Sequence, residues 1–197
     1  MSRTAHWLTL ILSTALLASC GSSPAVRYFG LETTELNYQQ DTDDAPILAV
    51  GPLRVPDYLK RTQMVRRGQG AELLVDDFNR WAEPLDEAIH RTIASNVDGM
   101  VDNLVAIAFP TGAGLDVDYR VFGRIDKFEQ DNSGSAILDI QWGISDAAGD
   151  IVAAVRRVRY ESRAGDRSDP MATAQAMSAT IEQLSREIAA EMADALP

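Results

Sequence analysis

Apolar residues recur along the chain with two distinct periods. Leu85, Ile89, Ile93, Val97, Val101 and Leu104 return every three or four residues, with Asp86, Glu87, Arg91 and Asp98 elsewhere. That spacing predicts one amphipathic helix entered at Pro84, whose fixed φ suits a first helical position. A second stripe, Met177, Ile181, Leu184, Ile188, Met192 and Leu196, predicts a closing helix that opens at Ser168-Asp169-Pro170. Its methionines share the stripe with Ile and Leu, so they read as core filling. Between the helices the period drops to two: Val117, Tyr119, Val121, Gly123 and Ile125; Ala136, Leu138, Ile140, Trp142 and Ile144; Val152, Ala154, Arg156, Val158 and Tyr160. The connections at 130–134 and 146–150 are rich in Asp, Asn, Ser and Gly. These segments therefore predict an antiparallel meander with one face buried.

Upstream, 27–31 is a short aromatic run suited to a first strand, followed by a polar stretch to Pro46. Residues 47–55 read as a largely buried strand in which Pro52, lacking an amide, implies an edge or a bulge. Pro56-Asp57-Tyr58-Leu59 turns the chain, and 63–67 and 72–75 flank Gly68-Gln69-Gly70 as a hairpin. Strands accompanied by two one-faced helices must bury those faces on the sheet. The predicted fold class is an α/β (α+β) two-layer sandwich, with a mainly antiparallel or mixed sheet and two long helices packed on it.

The first residues follow another logic. A short basic start with Arg3 leads into a mainly apolar run from Trp7 to Ala18, too short to span a bilayer as a helix and typical of a secretory signal. It ends in Leu17-Ala18-Ser19-Cys20, which resembles the lipobox of bacterial lipoproteins. In that motif small residues let the protease close on the backbone, and the Cys thiol accepts the acyl chain. Residues 1–19 are thus read as signal peptide, 20–27 as lipidated Cys20 and a flexible tether, and 28–197 as the functional domain. From Cys20 to Tyr28 the leash reaches roughly 28 Å at most. By resemblance to enterobacterial sorting, Gly21 rather than Asp after the cysteine implies an outer-membrane destination, facing the periplasm.

The precursor has 197 residues, with 18 Lys+Arg against 29 Asp+Glu and a formal charge of −11. Removing residues 1–19 takes away Arg3, leaving 17 basic residues against 29 acidic and a charge of −12. That balance argues against nucleic acid as a partner, since phosphate binding is driven by basic side chains. Electrostatic adhesion to anionic lipid is disfavoured on the same ground. One Cys forms no intramolecular disulfide, thiolate zinc site or iron–sulfur cluster, and no cofactor is expected beyond covalent lipid on Cys20. The mature chain has one histidine, His90, read as a partly exposed helical residue pairing with Asp86. Asp116 and Asp118 share a strand face and read as solvated, being too few to ligate calcium. Arg156, Arg157 and Arg159 fit either a carboxylate-facing interface or a solvated strand. With no G-x-S-x-G, P-loop, H-E-x-x-H or G-x-G-x-x-G in the sequence, no enzyme is expected.

Two segments carry a resemblance. The run from Val50 to Arg67, which includes Gly51-Pro52, Pro56, Tyr58-Leu59, Arg61, Gln63 and Met64-Val65, resembles the G-P-v-x-[VIL]-P-x-Y-L-x-R-x-q-[IVM]-V signature of the ABC-type transport auxiliary lipoproteins. Trp81-Ala82-Glu83-Pro84-Leu85 is similar to the W-A-E-P-L that opens their first helix. Lys60 and Thr62 depart from commonly acidic and Pro positions. The resemblance implies a subunit of the paraquat-inducible protein C type. Such a subunit is an outer-membrane lipoprotein serving an MCE-domain periplasm-spanning protein and its ABC permease/ATPase complex in intermembrane lipid transport, and forming a ring-like homo-oligomer. Read from the residues themselves, Pro56, Asp57, Tyr58, Leu59, Arg61 and Trp81 are partner-binding candidates, because a Pro-anchored turn presents aromatic and Arg groups. Tyr58 and Trp81 equally suit a cap on the core where hairpin meets helix. The alternative function is a periplasmic lipid or hydrophobic-ligand carrier, which requires a cavity between sheet and helices.

Overall fold

A computed structural model describes residues 24–34, 44–110 and 115–196. Eight strands form one mixed sheet: β1 Arg27–Phe29, β2 Ile47–Arg54, β3 Gln63–Arg67, β4 Leu73–Trp81, β5 Val105–Ala108, β6 Tyr119–Gln130, β7 Ser135–Asp146 and β8 Ile151–Arg163. Helices α1, Leu85–Asp98, and α2, Pro170–Ala195, lie on it. The long β6 organises the sheet. One of its edges pairs antiparallel with β7, which pairs antiparallel with β8, completing the expected meander. Its other edge takes β2 in parallel along its first half and touches β3 at Arg66↔Gln130 near its end. Beyond β2 lies β5 in parallel, and beyond β3 lie β4 and β1.

The meander turns close as their composition dictates. Asp131 Oδ1 accepts the Ser133 and Ser135 amides at 2.8 and 3.0 Å, and Asp146 Oδ1 accepts the Asp150 amide at 2.9 Å. Gly123 in β6 stands opposite Trp142, where a Cβ would lie 2.3 Å from the Gln141 carbonyl oxygen, so only glycine lets β7 approach.

The core fills the space between the layers. Leu48, Ile89, Ile93, Leu138, Ile140, Trp142, Ile181, Leu184 and Ile188 are all fully buried. The cap of α2 is the predicted one, with Asp169 Oδ1 accepting the Met171 amide at 3.0 Å and Pro170 in the first turn. Polar contacts tie the helices together: Asn96 Nδ2 donates to Ser185 Oγ, and the backbone after β1 joins both helices through Thr34 to Asn96 and Glu32 to Ser178.

Four expectations need correction. The first helix stops at Asp98, not Leu104, because Gly99 ends it and Asn103 adopts a φ of 57° in the following connection. Val101 and Leu104 are still buried, so the apolar stripe outlasts the helix. Trp81 ends β4 rather than opening α1, which begins at Leu85. Residues 105–108, assigned to no element, form β5; a short apolar run without alternation fits strand and buried coil alike. Finally β6 starts at Tyr119, so Asp118 precedes the strand, and its carboxylate accepts the Ile47 amide at 2.8 Å to hold the start of β2.

Candidate functional site

Signature residues converge where β2 leaves the sheet and runs past α1. At Gly51-Pro52 the β2–β6 register shifts between Val50 and Leu53, and the β2–β5 pairing ends at Val50, so Pro52 sits at a bulge where that side of β2 has lost its partner strand. Gly51 takes φ 116°, and a Cβ there would meet Phe109 Cβ at 3.0 Å and His90 Nε2 at 3.1 Å. His90 lies beneath this bulge. Its Nε2 accepts the Leu53 amide at 3.0 Å in a buried hydrogen bond, and burial lowers its pKa below the usual imidazole value against the opposing charge of Asp86. The expected partly exposed His90 paired with Asp86 is therefore corrected: the ring is 8 % exposed and is bonded to backbone of the neighbouring strand.

Pro56 then starts a short 3-10 turn, Asp57–Leu59, closed by the Leu59 amide on the Pro56 carbonyl at 3.0 Å. Leu59 is buried, while Asp57 and Lys60 stand in solvent and pair at 2.8 Å. Half-buried Tyr58 donates its hydroxyl to Glu129 at 2.9 Å. Glu129 in β6 is itself buried and takes Arg67 of β3 in a fork, Nε at 2.8 Å and Nη2 at 3.0 Å. Burial first, then the bond to Glu129, holds the Tyr58 phenol above its ordinary range, so it stays a neutral donor. Trp81 is buried opposite Phe29, and its amide donates to the Thr62 carbonyl at 2.6 Å. Of the six candidates, Leu59, Trp81 and the Tyr58 hydroxyl thus face inward and brace the turn, whereas Asp57, Pro56 and Arg61 lie at its surface.

The exposed part is concave. A 200 Å³ hollow between the turn and the start of α1 is lined by Lys60, Arg61, Thr62, Pro84, Leu85 and Asp86. Lys60 and Asp86 also border a wider cleft of 510 Å³ that runs back over Pro52, Leu53, Val55 and His90 to Phe109 and Pro110. Together they make one groove along the N-terminal half of α1, with an apolar floor and Lys60, Arg61, Asp86 and Glu87 on its rims. Sequence reasoning picked out the turn, but not Lys60 as a rim residue or the α1 wall. The periodic placement of Asp86 and Glu87 off the apolar stripe was the one available signal.

The arginine cluster finds its carboxylates within the chain. Arg156 lies over the Trp142 ring at 4.4 Å and meets Glu191 of α2 at 2.7 Å, while Arg159 forks onto Asp139 of β7 at 2.6 and 2.7 Å. No group of three His, Cys, Asp or Glu side chains that could hold a metal occurs among the described residues, and no helix among them is long and apolar enough to cross a membrane. Leu17, Ala18, Ser19 and Cys20 lie outside the described residues.

Comparison with known proteins matches this frame. Two crystal structures share it: one of an uncharacterised protein, with a TM-score of 0.70 at 20% identity, covering 86% of this chain and 99% of that one, and XCC0632 from Xanthomonas campestris, with a TM-score of 0.63 at 16% identity, covering 86% and 96%. In sequence, the chain is 25% identical over 138 residues to the intermembrane transport lipoprotein PqiC of Escherichia coli K12, covering 69% of this chain and 72% of that protein, and equally to PqiC of Shigella flexneri. The model of the ABC-type transport auxiliary lipoprotein component matches residues 29–189, from the buried end of β1 to the last turns of α2. The chain therefore belongs to the ABC-type transport auxiliary lipoprotein family.

Proposed function

We propose that this protein is a periplasm-facing outer-membrane lipoprotein, anchored by lipid on Cys20, that acts as a non-enzymatic docking subunit of an ABC/MCE intermembrane lipid transport system supporting envelope integrity. The observation that carries the reading is the family match over 29–189, together with the relatives' description as intermembrane transport lipoproteins. Two features support it. Auxiliary components of transporters are non-enzymatic in kind. The space between sheet and helices is filled by side chains such as Trp142, Ile89 and Leu184, which favours an adaptor over a carrier that must enclose an acyl chain.

Docking uses the groove. Arg61 on its rim is the contact, with Asp57 exposed on the adjoining turn and paired to the rim residue Lys60; Pro56 sets the turn, and Tyr58, Leu59 and Trp81 hold that turn rigid from beneath, so that little ordering cost remains on binding. The partner is the MCE-domain periplasm-spanning protein with its permease and ATPase, and several copies of the chain form a ring around its end. The test is a pull-down from fractionated membranes with the acylated protein, its Arg61→Glu variant and a Cys20→Ala variant. Recovery of an MCE-domain protein with its permease, lost with Arg61→Glu, is expected; loss of outer-membrane fractionation with Cys20→Ala is expected as well. Unchanged recovery with Arg61→Glu would show that docking uses another surface.

A further inference from the structure

The helices cover one face of the sheet, and the middle of the other face carries a charge opposite to that of the chain. Alternation places Arg54 of β2, Arg124 of β6, Gln141 of β7 and Arg157 of β8 on that open face, because their neighbours Leu53, Ile125, Ile140 and Val158 pack in or against the core. The register sets the four side by side in one row: Arg54↔Arg124, Arg124↔Gln141 and Gln141↔Arg157. Arg124 and Arg157 share the carboxylate of Asp126, at 2.8 and 3.7 Å. Arg54 has neither an ion pair nor a hydrogen bond among the described residues. Three guanidinium groups therefore stand against one carboxylate, in a chain with 29 acidic and 18 basic residues. Like charges directly opposite each other across a strand pair cost stability, so Arg54 beside Arg124 is an arrangement that packing does not explain.

One row away the same face is apolar and concave. Arg54, Arg124 and Gln141 rim a depression of 440 Å³ whose apolar lining includes Pro52, Phe122 and Val155. Gly143 shapes its floor. A Cβ there would lie 3.0 Å from Val155 Cγ2 and 3.3 Å from Phe122 Cζ, so the bare backbone lets both side chains lie across the strand. Val155 is 47% exposed in this position, a large apolar residue left facing solvent. Phe122 precedes Arg124 by two residues, about 7 Å along β6, which sets the distance between the apolar floor and the cationic rim.

The chemistry of the depression selects its occupant. Its volume suits a small molecule, whereas a protein partner covers about 800 Å² of each surface. Guanidinium forks set side by side match the several oxygens of a phosphate. The apolar floor beside them calls for carbon chain attached to that anion, which free phosphate lacks. We propose that this depression binds the phosphate headgroup of an anionic phospholipid, held by Arg54 and Arg124 with Gln141 and Arg157 beside them, its first chain carbons resting on Phe122, Val155 and Pro52. The rest of the chains needs no enclosure by this domain, in keeping with its filled core. The acidity of the whole chain disfavours general adhesion to anionic lipid, and this face reverses it locally. Pro52 and Arg54 also border the cleft along α1, while Arg124, Phe122 and Val155 belong to the open face alone.

The test uses the acylated full-length protein in phosphatidylcholine/phosphatidylglycerol vesicles, with a photo-cross-linker placed by Val155→p-benzoylphenylalanine or, as a control on the exposed side of α2, by Ala190→p-benzoylphenylalanine. After irradiation, intact mass should show a phosphatidylglycerol adduct several-fold more abundant at 155 than at 190, and enriched over phosphatidylcholine relative to the vesicle. Arg124→Gln, which spares the α1 cleft, should cut that adduct several-fold, and adding Arg54→Gln should bring it to the control level. The urea midpoint should not fall in either variant, because the like-charge contact is relieved. An adduct that forms equally at both positions, that takes the two lipids in their vesicle proportions, or that survives both substitutions overturns the proposal. Cross-linking of a second protein chain in place of lipid overturns it as well, since the occupant is then a protein. Loss of the adduct in millimolar inorganic phosphate would show that phosphate alone is read, and would overturn the phospholipid assignment. The readout needs no transport partner, so its failure leaves the docking reading standing, and Arg61→Glu should leave the adduct unchanged.

Discussion

His90 is the residue at which burial, hydrogen bonding and charge make opposing demands. Its Nε2 must be unprotonated to accept the Leu53 amide, and burial keeps its folded pKa below the ordinary value of about 6.5. Above that value both folded and unfolded chains hold it neutral and the bond contributes fully. As pH falls below about 6.5 the unfolded chain takes up the proton first, so stability falls toward the depressed folded pKa. Urea midpoints measured from pH 8 to 5 should therefore decline in the native protein, and decline less in His90→Gln. The Tyr58–Glu129–Arg67 group is a second such point. Arg67→Ala leaves a buried carboxylate with only a phenol for a partner, and a loss of about 3 kcal/mol in urea unfolding is expected, against about 1 kcal/mol for Tyr58→Phe, which removes one hydrogen bond. Neither group was legible in advance: helical spacing offered Asp86 to His90, and nothing in sequence order brings residue 58 to residue 129.

Elements behaved as their local chemistry dictates wherever their partners were near in sequence. The meander, the Gly68-Gln69-Gly70 hairpin and the Asp169 cap all follow from alternation, turn residues and capping, because each closes within a few residues. Replacing Asp169 with Ala should cost about 1 kcal/mol, read as a lower thermal midpoint with helical content retained. Parallel pairings are another matter. β2 lies between β5 and β6, and β1 beside β4, so their registers depend on chain far away and leave no short-range mark. The bulge at Gly51 shows the limit. Pro52 announced an irregularity, yet that the bulge falls against β6 just where β5 stops pairing depended on strands contributed by residues 105–108 and 119–130. Gly51→Ala should destabilise by about 2–3 kcal/mol, since the added Cβ must displace Phe109 or His90 and the backbone sits at positive φ. The same substitution at Gly149, where nothing lies within 4 Å, should cost less, from its φ of 92° alone.

At the scale of the whole molecule, the groove along α1, between the Pro56 turn and the helix start, is the surface proposed for a protein partner. Arg61 is exposed and braces nothing, so the prediction is that Arg61→Glu abolishes partner recovery while the urea midpoint stays within about 0.5 kcal/mol of the native protein. Residue type and short spacing were enough for part of this picture. That covers the two-layer class, the helix stripes, the meander and the family signature. Packing between distant segments was needed to fix where the helix ends, that Leu59 and Trp81 face inward while Arg61 faces out, that Arg156 and Arg159 find carboxylates inside their own chain, and that His90 serves β2. The physical reason is common to all four. Burial and hydrogen-bond partnership are fixed by which distant segments pack together, and the parallel strands and the helix-to-sheet contacts that bring them together are non-local pairings with no periodic trace in the chain.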